Sequence, residues 1–362
     1  MGSSVICRHF ERCGGCSLQH LGAKSYLVHK QNQVERAFAD AGIDTAIEPV
    51  IACPAHSRRR VTFTAKREKG DILLGFQQSR SHEVIDIAEC PIALPEIVGT
   101  LPVLRDLAAT LLQGISSAQL TVTACENGLD LSLRIIEPPS ETVMADLVRL
   151  LTRSPFIRCG MDDEIVFERE KPLVEFGDLS VVLPPNGFLQ AVKSAEEALA
   201  DLVCTHLKKC KRVTDLFSGC GTFSLQLATR SRVHAVESYK PALDSLSSVS
   251  AEGLKPITTE VRDLFDLPLT VAELSRFDGI CLDPPRAGAM TQVKEIAKSE
   301  VARVVYVSCN PETLARDTKE LSAGGYALER VVPVDQFVFS DHVEAAALFS
   351  KQSSKAKRSI FR

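Results

Sequence analysis

The sequence predicts an α/β chain: a doubly wound, mainly parallel sheet in the C-terminal half and a mainly antiparallel β middle. Three observations carry that prediction. Apolar strands and helices alternate after about residue 184. Short strand-like runs joined by turns fill the stretch before it, and a knot of cysteines and glycines opens the chain. The divisions that follow are 1–46 (cysteine-rich segment plus a helix), 47–183 (middle domain), 184–350 (parallel-sheet domain) and 351–362 (basic tail).

At 362 residues the chain is long enough for roughly two cores. Hydrophobic content of 45% and charged content of 24% are those of a soluble globular protein. The start, "MGSSVICRHFERC", brings in charges and cysteines too early for a signal peptide. Ile6 stands where myristoylation would need Ser or Thr, and no apolar stretch approaches a membrane span. A cytoplasmic protein without a membrane partner is expected, with a monomer as the default. In a reducing compartment twelve cysteines read as ligands, nucleophiles or small core residues rather than disulfides. A net charge of -4 leaves nucleic-acid binding to local patches.

Taken in order, a helix is predicted from about Ala23 to Ala41, with Leu27, Val34 and Phe38 as its apolar positions. The runs "RRRVTFTAKRE", "ILLGFQQ", "QLTVTACE" and "LDLSLRII" read as strands, with helices near Leu101–Leu112 and Glu141–Leu151 between them. Beyond "VVLPPNGFLQAVKSAEEALADLV" the βαβα order of "RVTDLF", "VHAVES", "FDGICLDPP" and "VARVVYVSCNP" indicates a parallel sheet covered on both faces.

"RVTDLFSGCGTFSLQLA" is a strand, a glycine turn and a helix, and Gly219 and Gly221 let the backbone approach a ligand. The third glycine of a dinucleotide fingerprint is missing. Sixteen residues past Gly221, Glu237 ends the next strand, where it can accept from two ribose hydroxyls. Asp263 follows the third strand, within reach of an adenine amino group. A nucleoside held by ribose and base, with no pyrophosphate, suits S-adenosylmethionine better than NAD. The plainer alternative is a tight turn with two structural acids.

In "GICLDPPRAG" the prolines end strand pairing and stiffen a loop that holds Asp283 at the same edge. In "VVYVSCNPETLARD", Asn310 is a good N-cap and Pro311 a favoured first helical residue, so a helix begins just after Cys309. The helix terminus favours a thiolate there, although an inert core cysteine is the commoner fate of such a position. Glu344 interrupts the apolar run "VEAAALF", either facing solvent at a strand start or in a polar site that raises its pKa and suits it to take a proton.

From about residue 184 to 350 the chain resembles the RNA 5-methyluridine (uracil-C5) methyltransferases. "DLFSGCGTF", "LDPPRAG", "VSCNPETLARD" and "DHVEAAAL" occur in the family's order. The resemblance implies a Rossmann-like class I methyltransferase that moves a methyl group from S-adenosylmethionine to uracil C5. It assigns the nucleophile to Cys309 and the general base to Glu344, and counts Asp283 among the cofactor and base contacts. Gln190 of "NGFLQ" matches a cofactor glutamine and Phe217 an aromatic residue beside the cofactor, whereas Thr222 stands where Asn is frequent.

Cys7, Cys13 and Cys16, with Cys90 in "AECPI", suit a 4Fe–4S cluster, and the 23S rRNA branch of the family carries such a pattern. Four thiolates around zinc are the alternative. Cys53, Cys125, Cys159, Cys204, Cys210, Cys220 and Cys281 read as core or incidental. Arg58, Arg59 and Arg60, with Lys66, Arg67 and Lys69, are candidate phosphate contacts, as is Arg286; a solvated face is the alternative, also for Lys355, Lys357 and Arg358 of the tail. The substrate expected is 23S rRNA, with tRNA as the runner-up and an inactive iron–sulfur RNA-binding protein as the rival class.

Overall fold

A computed structural model describes residues 5–79, 81–162 and 164–352. The tail cations Lys355, Lys357 and Arg358 lie outside the described residues. After the cysteine segment come helix α1 (Ala23–Asp40) and strands β1 (Arg60–Glu68), β2 (Asp71–Gln77) and β3 (Val84–Asp86). Helices α2 (Pro95–Val98) and α3 (Leu101–Leu111) precede β4 (Ser117–Cys125) and β5 (Gly128–Arg134). Next are α4 (Glu141–Thr152), β6 (Phe156–Met161), β7 (Glu164–Glu168), β8 (Leu173–Phe176) and β9 (Leu179–Val182). The second half runs α5 (Lys193–Leu207), β10 (Arg212–Leu216), α6 (Ser224–Ala228), β11 (Arg232–Glu237), α7 (Lys240–Ser247) and β12 (Ile257–Val261). It ends with α8 (Val271–Leu274), β13 (Gly279–Leu282), α9 (Met290–Lys298), β14 (Arg303–Ser308), α10 (Pro311–Ala323), β15 (Tyr326–Val334) and β16 (Glu344–Lys351).

The middle sheet has the order β3-β2-β1-β4-β5-β6-β7 and is antiparallel except for the β5–β6 pair. Leu104, Leu107, Leu111 and Leu147 from α3 and α4 cover it, against Phe63, Leu120, Leu131 and Phe156. The hairpin β8–β9 does not share that core. Its alternating Val174, Phe176 and Val181 pack on Leu225, Leu243 and Leu246 of the second half, because period-two apolar residues bury only one face.

The second sheet has the order β12-β11-β10-β13-β14-β16-β15. Both its faces are apolar, and successive residues feed different cores. Ile280, Leu282, Val304, Tyr306, Ala345 and Ala347 go to one; Cys281, Val305, Val307, Ala346 and Leu348 go to the other. This is the pattern of a sheet buried on both sides. The last strand, β16, runs antiparallel and inserts between β14 and β15. That reversal matters for function, because it brings the start of β16 to the edge where the parallel strands end.

Helix α1 packs into the core of this second sheet through Val34, Ala37 and Phe38. Its buried stripe is Tyr26, Lys30, Val34, Ala37 and Phe38, at i, i+4, i+8, i+11 and i+12. Leu27 is only half-buried, and Lys30 is fully enclosed. A lysine is tolerated there because Asp335 lies 2.9 Å from its Nζ, which also donates to the carbonyls of Phe337 (3.0 Å) and His342.

Candidate active site

Strand register explains how the reactive groups meet. Leu216 pairs with Leu282, Leu282 with Tyr306, and Ser308 with Ala345. The residues that follow or precede these pairs, Phe217, Asp283, Cys309 and Glu344, therefore share one sheet edge. All four line a single cavity of about 1090 Å³, together with Gln190, Gly219, Glu237, Asp263 and Arg286. Phe265, Gln336, Phe337 and His342 complete that part of the wall.

Cys309 is half-buried at the end of β14. The helix after it starts as its residues dictate: the Asn310 side chain accepts from the Glu312 N–H at 3.0 Å, and Pro311 takes the first turn. The expected thiolate does not follow. Burial, then the carboxylates of Glu344 and Asp283, push the Cys309 thiol up to about 11, against a smaller opposing pull from Arg286. A helix end carries about half a charge, and two nearby carboxylates outweigh it.

Glu344, 2% exposed, opens β16. It is a strand start, yet it faces inward. Burial pushes its carboxyl up to about 7, opposed by a hydrogen bond from Gln336. Burial, then Glu344 and Asp215, raise Asp283 further, opposed by Gln190. The two acids are joined by two amides: Gln336 Nε2 donates to Glu344 and to Gln190 Oε1 (2.8 Å), and Gln190 Nε2 donates to Asp283 Oδ2 (2.8 Å). Sequence reasoning missed Gln336; the only local hint is a polar residue inside the apolar "VVPVDQFVF".

On the nucleoside side, Glu237 Oε2 accepts from the Gly219 N–H at 3.1 Å, and its Oε1 accepts from Ser238 and Tyr239 N–H groups. The Ser238 hydroxyl also donates to Oε1 at 3.0 Å, so that oxygen is saturated; Oε2, which among the described residues accepts only from Gly219, keeps a lone pair for a hydroxyl. Asp263 is exposed on the cavity wall and holds Phe265 N at 2.9 Å. The Phe217 and Phe265 rings lie 5.5 Å apart and tilted, an apolar place for a flat base. This wall fits a nucleoside and a sulfonium side chain. Gly221 and Thr222, expected at the cofactor, do not line the cavity. Gly221 has φ +104°, and a Cβ there would meet Leu246 Cδ1 at 2.6 Å, so it serves packing. Thr222 is buried in the turn.

Cys7, Cys13, Cys16 and Cys90 border the same cavity. Burial pushes Cys7 and Cys13 up, and Cys16 to about 12, with smaller contributions from Cys90 and the other thiols. Gly14 seats the segment by donating to the Gln77 carbonyl, and a Cβ there would meet that oxygen at 2.4 Å. Among the described residues no three His, Cys, Asp or Glu side chains are packed closely enough to grip a metal ion as they stand. The donor set, four half-buried thiols drawn from two distant parts of the chain, is chemically suited to iron or zinc.

The arginines divide. Arg59 is 5% exposed and pairs with Glu196, while its Nε donates to the Gln190 carbonyl. It is not available to phosphate, because its guanidinium is spent inside the protein. Arg58 and Arg60 are half-buried on the cavity wall, the former 6.0 Å over the Phe337 ring and the latter donating to the Gly187 carbonyl. Arg286 is exposed at the cavity. No helix among the described residues is long and apolar enough to cross a membrane.

The tRNA (Uracil-5-)-methyltransferase family model matches residues 147–352. An uncharacterized RNA methyltransferase of Mesorhizobium japonicum is 48% identical over 95% of this chain and 84% of its own length. The 23S rRNA (uracil(1939)-C(5))-methyltransferase RlmD of Vibrio parahaemolyticus is 30% identical over 96% and 82%. The fold matches that of Pyrococcus abyssi tRNA (uracil-54, C5)-methyltransferase, solved with S-adenosyl-L-homocysteine. Its TM-score is 0.75 at 23% identity, over 93% of this chain and 85% of that one. The fold is thus that of the S-adenosylmethionine-dependent class I methyltransferases, and the chain belongs to the tRNA (uracil-5-)-methyltransferase family.

Proposed function

We propose that the protein methylates C5 of a uridine in 23S rRNA through a covalent adduct between Cys309 and uracil C6. The single observation that carries this reading is the convergence of Cys309, Asp283 and Glu344 at one sheet edge, in the cavity that also holds Gly219 and Glu237. Uracil C5 is electron-poor; once the Cys309 thiol has released its proton to solvent, addition of the sulfur at C6 turns the C4–C5 edge into an enolate. S-adenosylmethionine, held by Phe217, Gly219, Glu237, Asp263 and Phe265, supplies an electrophilic methyl group for the activated carbon. Glu344 then removes the C5 proton, the C5–C6 double bond reforms and the sulfur leaves. Asp283 and Gln190 face the same space and suit the amide-like edge of the flipped base.

Four further elements complete the reading. Arg58, Arg60 and Arg286 supply phosphate contacts. Cys7, Cys13, Cys16 and Cys90 hold a 4Fe–4S cluster, which positions the segment and the RNA. The domain scheme keeps the middle sheet as the RNA-contacting part. The protein works as a cytoplasmic monomer. The RlmD-named relative supports rRNA over tRNA.

The test uses purified protein with rRNA, tRNA and labelled S-adenosylmethionine. Cys309→Ala is expected to abolish transfer, and Glu344→Gln to accumulate a protein–RNA adduct that survives denaturation. Normal methylation by Cys309→Ala overturns the mechanism. 5-Methyluridine missing from tRNA rather than rRNA in a deletion strain overturns the substrate. Anaerobic purification with iron and zinc analysis decides the metal: stoichiometric zinc without iron overturns the cluster.

A further inference from the structure

We infer that Gln336 is a positioning residue that sets the ionisation of Glu344 and couples it to Asp283 through Gln190. The inference rests on the proposed role of Glu344 as the base. It assigns a function to a cavity-lining residue whose hydrogen bonds go to Gln190 and Glu344 rather than to the nucleophile.

The geometry fixes which way each amide points. The Ala191 backbone N–H donates to Gln336 Oε1 at 3.1 Å. A backbone N–H is only ever a donor, so that atom must be the oxygen, and the side chain's other terminus is its NH₂. Its two N–H groups serve Glu344 Oε2 and Gln190 Oε1. Gln190 Oε1 is then an acceptor, and its own NH₂ faces Asp283 Oδ2 at 2.8 Å. One backbone N–H orients the whole relay. Gln336 is 2% and Gln190 2% exposed, so water does not compete at either amide. The Arg59–Glu196 pair pins the connecting segment that carries Gln190, since Arg59 donates to the Gln190 carbonyl at 3.0 Å.

The relay gives each carboxylate one neutral donor and no cation. A cation beside Glu344 would make it too weak a base, and an apolar neighbour would leave it protonated at neutral pH. An amide is intermediate. The titratable groups facing Glu344 are Asp283, after β13, and Cys309, after β14, both of which feel its charge. Asp215 acts in turn on Asp283 and Arg286 on Cys309. On the loop leading to Glu344 stand His342 and Asp335, the latter paired with Lys30 of α1. Among the described residues the side chain that donates a hydrogen bond to the Glu344 carboxylate is none of these but Gln336.

The experiment is single-turnover methyl transfer across pH, with Gln336→Met, which keeps length and volume, and Gln336→Asn, whose amide is too short to reach both partners. Each variant is expected to move the acid limb of the profile upward by about one pH unit, which is about fivefold slower transfer at pH 7 and approaches tenfold below pH 6, with recovery toward wild type at pH 9. The covalent protein–RNA adduct accumulates in the variants at pH 6–7 and clears on a jump to pH 9. A loss that is equal at all pH values, or an acid limb left in place, overturns the inference. Should Gln336→Met fail to fold, Gln336→Asn decides by the same readout. Activity in Cys309→Ala would instead sink the catalytic reading itself, so the two failures are distinguishable.

Discussion

Ser308 pairs with Ala345 across β14 and the reversed strand β16, so Cys309 and Glu344 project from adjoining strand ends. That adjacency ties the thiol's ionisation to the carboxylate. Glu344→Gln removes one of the two negative charges that hold the Cys309 thiol up. Alkylation of Cys309, followed by peptide mass spectrometry at pH 8, is expected to speed up roughly three- to tenfold in that variant. Burial remains, so the thiol does not become an ordinary surface cysteine. An unchanged rate would mean that the carboxylate does not reach the sulfur.

The same carboxylate costs stability. Its folded pKa of about 7 lies above the unfolded value, so the native state binds more protons between the two. Stability from this group is full at pH 4 and is lost as pH rises through 7. Glu344→Gln removes that loss and is expected to raise the unfolding free energy at pH 8 by on the order of 1–3 kcal/mol, with little change at pH 4.5. Urea titrations at the two pH values check the difference. A gain at pH 4.5 as large as at pH 8 would contradict the linkage.

The three consecutive arginines should separate experimentally. Arg59→Met leaves Glu196 buried without its partner and is expected to cost roughly 3–5 kcal/mol of stability. It should leave the salt dependence of RNA binding unchanged. Arg58→Ala and Arg60→Ala should each reduce the slope of log affinity against log salt by about one, with small effects on unfolding. Binding isotherms at several salt concentrations decide between the roles.

Lys30→Met strands the Asp335 carboxylate inside the protein. The expected loss is about 3–5 kcal/mol, and adding Asp335→Asn should restore part of it. A double-mutant cycle by urea denaturation gives the coupling. Strict additivity would mean that the two side chains act independently.

Local pattern made the parallel strands, the glycine turn, Cys309, Asp283 and Glu344 legible. Each stands at a strand end marked by proline, asparagine or a charge in an apolar run. What stayed hidden depended on distant partners. The pairing of Arg59 with Glu196, the burial of Lys30 and the amide relay through Gln336 are contacts between remote segments, and no periodicity encodes them. The insertion of β16 between β14 and β15 was equally invisible, because an apolar run does not state its direction. Gly221 misled for another reason: a glycine turn serves both ligand approach and tight packing, and only the position of Leu246 tells them apart.

Lys30 and the carbonyl of Phe337 that it holds are 307 positions apart in the chain. Helix α1 therefore carries an unmatched ammonium on its apolar side until the distant segment with Asp335, Phe337 and His342 has been made and has docked on it. The catalytic centre cannot assemble before that meeting, because the same segment leads into Glu344. Methyl transfer therefore waits on a contact that no local stretch of the chain can make by itself.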